Sequence, residues 1–190
     1  MAILPIYTDG STVLRQKAKP VKQLSNDIIQ LVINMFETMR KANGIGLAAN
    51  QVGVLKRIIV IDVSEMDGLE EVKPFALINP EVIKREGTCL LEEGCLSVPD
   101  VREQVERPRT IKVRYNNTNF DTIELEAYDT LARVILHEID HLNGVLFIDY
   151  LSPEQKKLHE DKLTKIRHGE MDVEYPVITA VDNIEERISS

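Results

Sequence analysis

Three shortages bound what this 190-residue chain can be. It has only two cysteines, Cys89 and Cys95, too far apart for a C-x-x-C pair and too few for a disulfide-stapled secreted framework. No apolar run approaches the ~18 residues of a membrane span. The opening stretch Met1–Tyr7 has no basic region leading into an apolar one, so no signal peptide is expected, and Asp9 makes a poor transit peptide. Basic residues are in deficit, 23 Lys and Arg against 31 Asp and Glu, giving a net charge of −8. DNA is therefore not an expected partner, because phosphate neutralisation calls for clustered cations. Nor is a membrane expected, and the expected location is the cytoplasm, where thiols stay reduced. What remains is an ordinary globular composition, 43% hydrophobic and 28% charged, long enough for one domain with a substantial core.

Against this background the run His137-Glu138-Ile139-Asp140-His141 carries the most chemistry. On a helix, two histidines four residues apart project from one face about one turn apart and can grip one metal ion. Glu138 then sits at the edge of that face, placed to take a proton from metal-bound water without being a ligand. Two protein ligands are too few, since a catalytic zinc or iron site normally has three and an open position. Cys95 is a candidate third, because a thiolate would complete a Cys-His-His set. Gly94 before it permits a kink that aims the thiol, and Pro99 is expected to end that segment. Cys89 reads as a packing residue.

Along the chain, Met1 to Leu24 reads as an extended arm with turns, Arg15 and the following lysines being solvated. Ser25 is expected to cap a helix whose stripe Ile28, Leu31, Val32, Met35 and Met39 faces the core and which ends before Gly44. The small-residue run Gly44 to Gly53 fits either a tight packed turn or a close backbone approach to a ligand, and Gln51 is its candidate hydrogen-bonder to a substrate oxygen. Ile58 to Ile61 is expected as a buried strand, Phe75 to Ile78 as a second closed by Asn79-Pro80, and Glu81 to Arg85 as a third. Thr110 to Tyr115 and Thr122 to Ala127 should form an antiparallel pair. The helix bearing the histidines should run from Tyr128 to Leu142 and stop at Asn143-Gly144. Val145 to Leu151 reads as a strand or extended return, Ser152-Pro153 as the cap of a charged last helix reaching about His168, and Asn183 to Ser190 as a short helix. His159 and His168 are expected at the surface.

Three segments, Gly44-Ile45-Gly46-Leu47-Ala48-Ala49-Asn50-Gln51, Glu93-Gly94-Cys95-Leu96-Ser97 and His137-Glu138-Ile139-Asp140-His141-Leu142-Asn143-Gly144, resemble in order and spacing the signature motifs of bacterial peptide deformylases. The resemblance covers most of residues 1 to 165. It implies an α+β fold, with antiparallel strands packed around a central metal-binding helix, plus an N-terminal helix and a C-terminal helix. It implies a single catalytic domain over 1–168, with a tail, 169–190, of open role. It further implies removal of the formyl group from the formyl-methionine of new polypeptides, with nascent chains and the ribosome near its exit tunnel as partners. By similarity, Cys95, His137 and His141 would bind one divalent metal, iron(II) in the cell and zinc, nickel or cobalt in other preparations, and Glu138 would shuttle the proton. Gln51 and the Leu96 backbone N–H would face the developing oxyanion. Ile45, Gly46 and Gly94 would pair with the peptide backbone, while Ile45, Leu91 and Val134 would wall the methionine pocket.

Arg133 departs from the many relatives with an apolar residue there. Its stem is expected at the pocket rim with the guanidinium in water, where it would favour acidic or polar residues after methionine. Two rival readings remain. One is an H-E-x-x-H zinc endopeptidase, taking a third ligand from Glu160 or Glu170. The other is a non-catalytic, ribosome-docked binding module of the same fold.

Overall fold

The computed structural model describes residues 2–182, so the helix expected over Asn183 to Ser190 lies outside the described residues. In chain order the elements are β1 (Ile6–Tyr7), α1 (Asn26–Lys41), β2 (Gly46–Ala48), β3 (Ile58–Ile61), β4 (Phe75–Glu86), β5 (Cys89–Cys95), β6 (Val98–Arg107), β7 (Thr110–Asn116), β8 (Thr122–Tyr128), α2 (Asp129–Leu142), α3 (Pro153–Leu158), α4 (Glu160–Arg167) and β9 (Val177–Ile178). This is the expected α+β arrangement. Strands β2-β3-β4-β7-β8 form an antiparallel sheet, and β5 and β6 form a separate hairpin.

The two long helices lie on opposite faces of the five-stranded sheet, because β3 is apolar on both sides. Val32, Met35 and Met39 of α1 pack with Ile58 and Val60, whereas Ala132, Ile135 and Ile139 of α2 pack with Ile59 and Ile61. Ser25 caps α1 as expected, its Oγ accepting from the Ile28 N–H. The metal-motif helix α2 is buried on nearly every side from Ala132 to Leu142, which makes it central rather than amphipathic at the surface. A third apolar cluster joins Val98, Val101 and Val105 of the hairpin to Leu14, Phe147, Leu163 and Ile166.

Four local expectations are corrected. The two strands expected around Asn79-Pro80 are one, β4, interrupted by an irregular register between Ile78 and Glu81. Asn79 takes a positive φ there, and its side chain bonds both the N–H and the carbonyl of Val21, so a turn signal serves as a bulge. Pro99 does not end its segment but lies in β6. Val145 to Leu151 contains a 3-10 turn, Phe147–Tyr150, rather than a strand. The last helix divides at His159, whose ring is largely covered and pairs with Glu103 at 3.2 Å instead of facing solvent. Beyond it the tail folds back, and β9 pairs in parallel with β1.

Gly144 ends the α2 segment with φ +78°, and a Cβ there would stand 2.5 Å from the Arg15 carbonyl oxygen, a backbone atom. A Gly144→Ala change should therefore lower unfolding stability by about 1–3 kcal/mol or more, through strain and clash together. A denaturant midpoint equal to the parent protein's would contradict this close packing of arm on helix end.

Candidate metal centre

Helical spacing does what the motif suggested. From α2, His137 and His141 bring their Nε2 atoms within 3.2 Å, and the Cys95 Sγ stands 3.3 Å from the His141 Nε2. Among the described residues these three form the one group of His, Cys, Asp or Glu whose donor atoms all lie within 4.8 Å of one another. Cys95 reaches the helix because the β5–β6 register shifts between Gly94 and Cys95, turning the strand end toward α2. Glu160 and Glu170, the third ligands an endopeptidase reading needs, are outside this group.

The surroundings favour a cation. Glu93, buried on β5, accepts the His137 Nδ1–H at 2.9 Å through Oε2, which leaves Nε2 as the donor atom facing the site. Burial alone would raise the Glu93 carboxyl, but His137 and then Arg107 outweigh it and hold it at about 2. His137 is pushed well above its ordinary value, since Cys95 and Glu93 overcome the opposing effect of burial. His141 is held well below its ordinary value by burial and then by the positive charge of His137 and Arg107. An imidazole pair and a sulfur crowded around one point, backed by a fixed carboxylate, suit a soft-to-borderline divalent ion.

Glu138 is held differently. A Cβ on Gly46 would lie 2.6 Å from the Glu138 Oε1, so β2 can pass over this carboxylate only with glycine there. Its Oε2 is buried and has no hydrogen-bond partner. Burial pushes its pKa up to about 7, with the charge of His137 opposing. Gln51, in the 3-10 turn Ala49–Val52, has its Oε1 taken by the Ala48 N–H at 2.8 Å. Its amide therefore points inward, donating to the Ser97 Oγ at 3.1 Å and lying 3.6 Å from the Cys95 Sγ.

A cavity of about 480 Å³ opens onto these groups, lined by Ile45, Gly46, Gln51, Gly94, Leu96, Arg133, Val134, His137 and Glu138 among others. Leu91 lies on β5 beside these residues, its carbonyl facing the Arg133 Nη1 at 3.4 Å. One expectation is corrected here. The Arg133 guanidinium does not reach water. It is buried and donates to Glu93, to the Val105 carbonyl at 2.8 Å and to the Cys89 carbonyl at 2.8 Å. The geometry thus removes the basis for an acidic preference arising from a free guanidinium. Cys89 packs against the same group, its Sγ 3.5 Å from the Arg133 Nη2.

Sequence reasoning missed Glu93, Arg107 and Ser97 as individual site residues. Glu93 had a signal, a charged residue two places before the thiol and thus on the same side of a strand. Arg107 had none, being brought in by the far end of the hairpin. The tail residues Val173 and Tyr175, which also line the cavity, were likewise unread.

Comparison with known proteins agrees with this geometry. Residues 3–157 match the family model described as polypeptide deformylase. A peptide deformylase of Salinibacter ruber is 45% identical over 188 residues, covering 95% of this chain and 96% of that protein. One from Chlorobium phaeobacteroides is 44% identical over 182 residues, 96% of this chain and 98% of that protein. Among solved structures, a Legionella pneumophila peptide deformylase superposes with a TM-score of 0.81 at 36% identity, covering 88% of this chain and 96% of that one. A Synechococcus elongatus peptide deformylase in complex with actinonin gives 0.78 at 42% identity, covering 84% and 87%.

The Glu93 carboxylate should matter most for how the histidine is presented. Glu93→Gln should weaken zinc affinity by ~10–100-fold, as removal of such an outer partner typically does. Chelator competition on the purified variant measures it, and parent-like affinity would show that His137 orients itself without Glu93.

Proposed function

Since this chain belongs to the polypeptide deformylase family, as a hydrolase with that family's Cys-His-His metal site, we propose how its own residues divide the work of removing a formyl group from formyl-methionyl peptides. Cys95, His137 and His141 are the ligands. A divalent cation held there supplies a water of pKa near ~7 and polarises the formyl carbonyl. The observation that carries the mechanism is the Glu138 Oε2, buried, unpartnered and at the edge of the helix face that bears the two histidines. It takes the proton from the attacking water and delivers it to the peptide nitrogen as the C–N bond breaks, releasing formate and a free N-terminus. A buried carboxyl with no fixed hydrogen-bond partner on one oxygen is free to take and to give a proton.

The developing oxyanion is met by the Gln51 amide, fixed in direction by the Ala48 N–H, and by the Leu96 backbone N–H. The peptide lies in the cleft between β2 and the end of β5, pairing at Ile45, Gly46 and Gly94 as an added strand, with Val134 against the methionine side chain. Residues 1–168 carry the metal ligands and the groups assigned to the reaction, and the tail beyond them adds Val173 and Tyr175 to the cavity wall. Iron(II) is the ion proposed for the cell, as the family resemblance implies, and the donor set with one thiolate accepts it as well as zinc. Because the substrates are nascent chains, we place the protein in the cytoplasm, with the charged α3 and α4 as its contact to the ribosome; no helix among the described residues is long and apolar enough to cross a membrane.

The test is turnover of formyl-Met-Ala-Ser beside its acetylated analogue, with metal content measured in parallel. The parent protein should cleave only the formyl substrate. Glu138→Ala should keep its metal and lose at least ~100-fold in kcat, and Cys95→Ala should lose metal occupancy. Cys89→Ala should retain both. Undiminished turnover by Glu138→Ala would remove the proton-transfer role.

A further inference from the structure

The family model ends at residue 157, yet the cavity wall includes Tyr175 and Val173 from the tail that returns to pair β9 with β1. The Tyr175 Oη donates to the Leu96 carbonyl oxygen at 2.9 Å. That carbonyl belongs to the peptide unit joining Leu96 to Ser97. Its other end, the Ser97 N–H, donates to the Cys95 Sγ at 3.4 Å. A phenol, one amide and the ligand sulfur therefore form a single hydrogen-bonded chain. Donation to an amide oxygen polarises the same amide's N–H and strengthens the bond it gives. Hydrogen bonds to a ligating sulfur in turn tune the metal it holds.

We propose that Tyr175 is a positioning residue for the metal centre, acting through the Leu96–Ser97 peptide to fix the direction of the Cys95 sulfur and the turn that carries the Leu96 N–H. Two further contacts hold the same turn: the Ser97 carbonyl accepts the Asp9 N–H at 2.8 Å, and the Ser97 Oγ accepts from Gln51. The tail thus closes the last free side of the turn between β5 and β6. The phenol is a stable donor at neutral pH, since burial and then the nearby Cys95 and Asp100 push its pKa up to about 12. This role rests on Cys95 being a ligand, as set out above.

The experiment uses the full chain loaded with cobalt(II), whose sulfur-to-metal charge-transfer band reports the thiolate directly. Tyr175→Phe keeps the ring and removes the donor. It should move the band to lower energy, because the sulfur loses part of its hydrogen bond, and should lower kcat by less than the ~100-fold expected for loss of an oxyanion donor itself. Tyr128→Phe, at an exposed tyrosine, should leave the band in place. Should Tyr175→Phe prove too unstable, 3-fluorotyrosine at position 175, a stronger donor, should shift the band the opposite way. A parent band with both Tyr175 substitutions leaving it unmoved would overturn the proposal while leaving Cys95 as ligand. Absence of the band in the parent protein would overturn the ligand assignment, and this proposal with it.

Discussion

A buried hydrogen bond from the His137 Nδ1 to Glu93 ties a metal-facing imidazole of the helix directly to the hairpin that supplies the sulfur. The arginine bonds between β5, β6 and α2 hold the two elements together, but this bond alone acts on a ligand ring and sets its direction. Glu93 can be buried and ionised there because Arg107 and Arg133 both bond it, and Arg107 continues to Asp140 on the helix. Such a cluster is weak evidence for stability, since desolvation offsets much of the attraction. Its value lies in direction: both Glu93 oxygens have fixed partners, and so the ligand ring is fixed as well.

The rest of the fold can be understood as support for that junction. The sheet backs α2 through Ile59, Ile61, Val113 and Ala127, and α1 covers the opposite face. The N-terminal arm holds Ser97 through the Asp9 backbone, while the Asp9 carboxylate is itself held by Arg167 of α4 at 2.8 Å. Distant ends of the chain thus converge behind the metal site. On the cleft side, by contrast, Gly46 keeps β2 bare so that Glu138 stays uncompensated and reactive.

Much of this was legible in the sequence. The helices α1 and α2 follow from period, caps and a glycine stop, and the three ligands follow from donor type and spacing. The β5–β6 hairpin was not legible, because its strands carry charges on both faces: Glu92 points out while Glu93 points in to meet two arginines. Arg133 was misread for the same reason, as nothing local says that a charged side chain on a helix will find a buried acid and two carbonyls from another element. Asn79-Pro80 looked like a turn, and only the Val21 backbone, far away in sequence, makes it a bulge. In each case the missing information was a long-range partner.

The central claim is that one sulfur and two imidazole nitrogens bind one cation. X-ray absorption at the zinc edge of the zinc-loaded protein tests it most directly. The account predicts one sulfur neighbour at ~2.3 Å and two imidazole nitrogens at ~2.0–2.1 Å, with the remaining position filled by oxygen. A first shell of nitrogen and oxygen alone would contradict it.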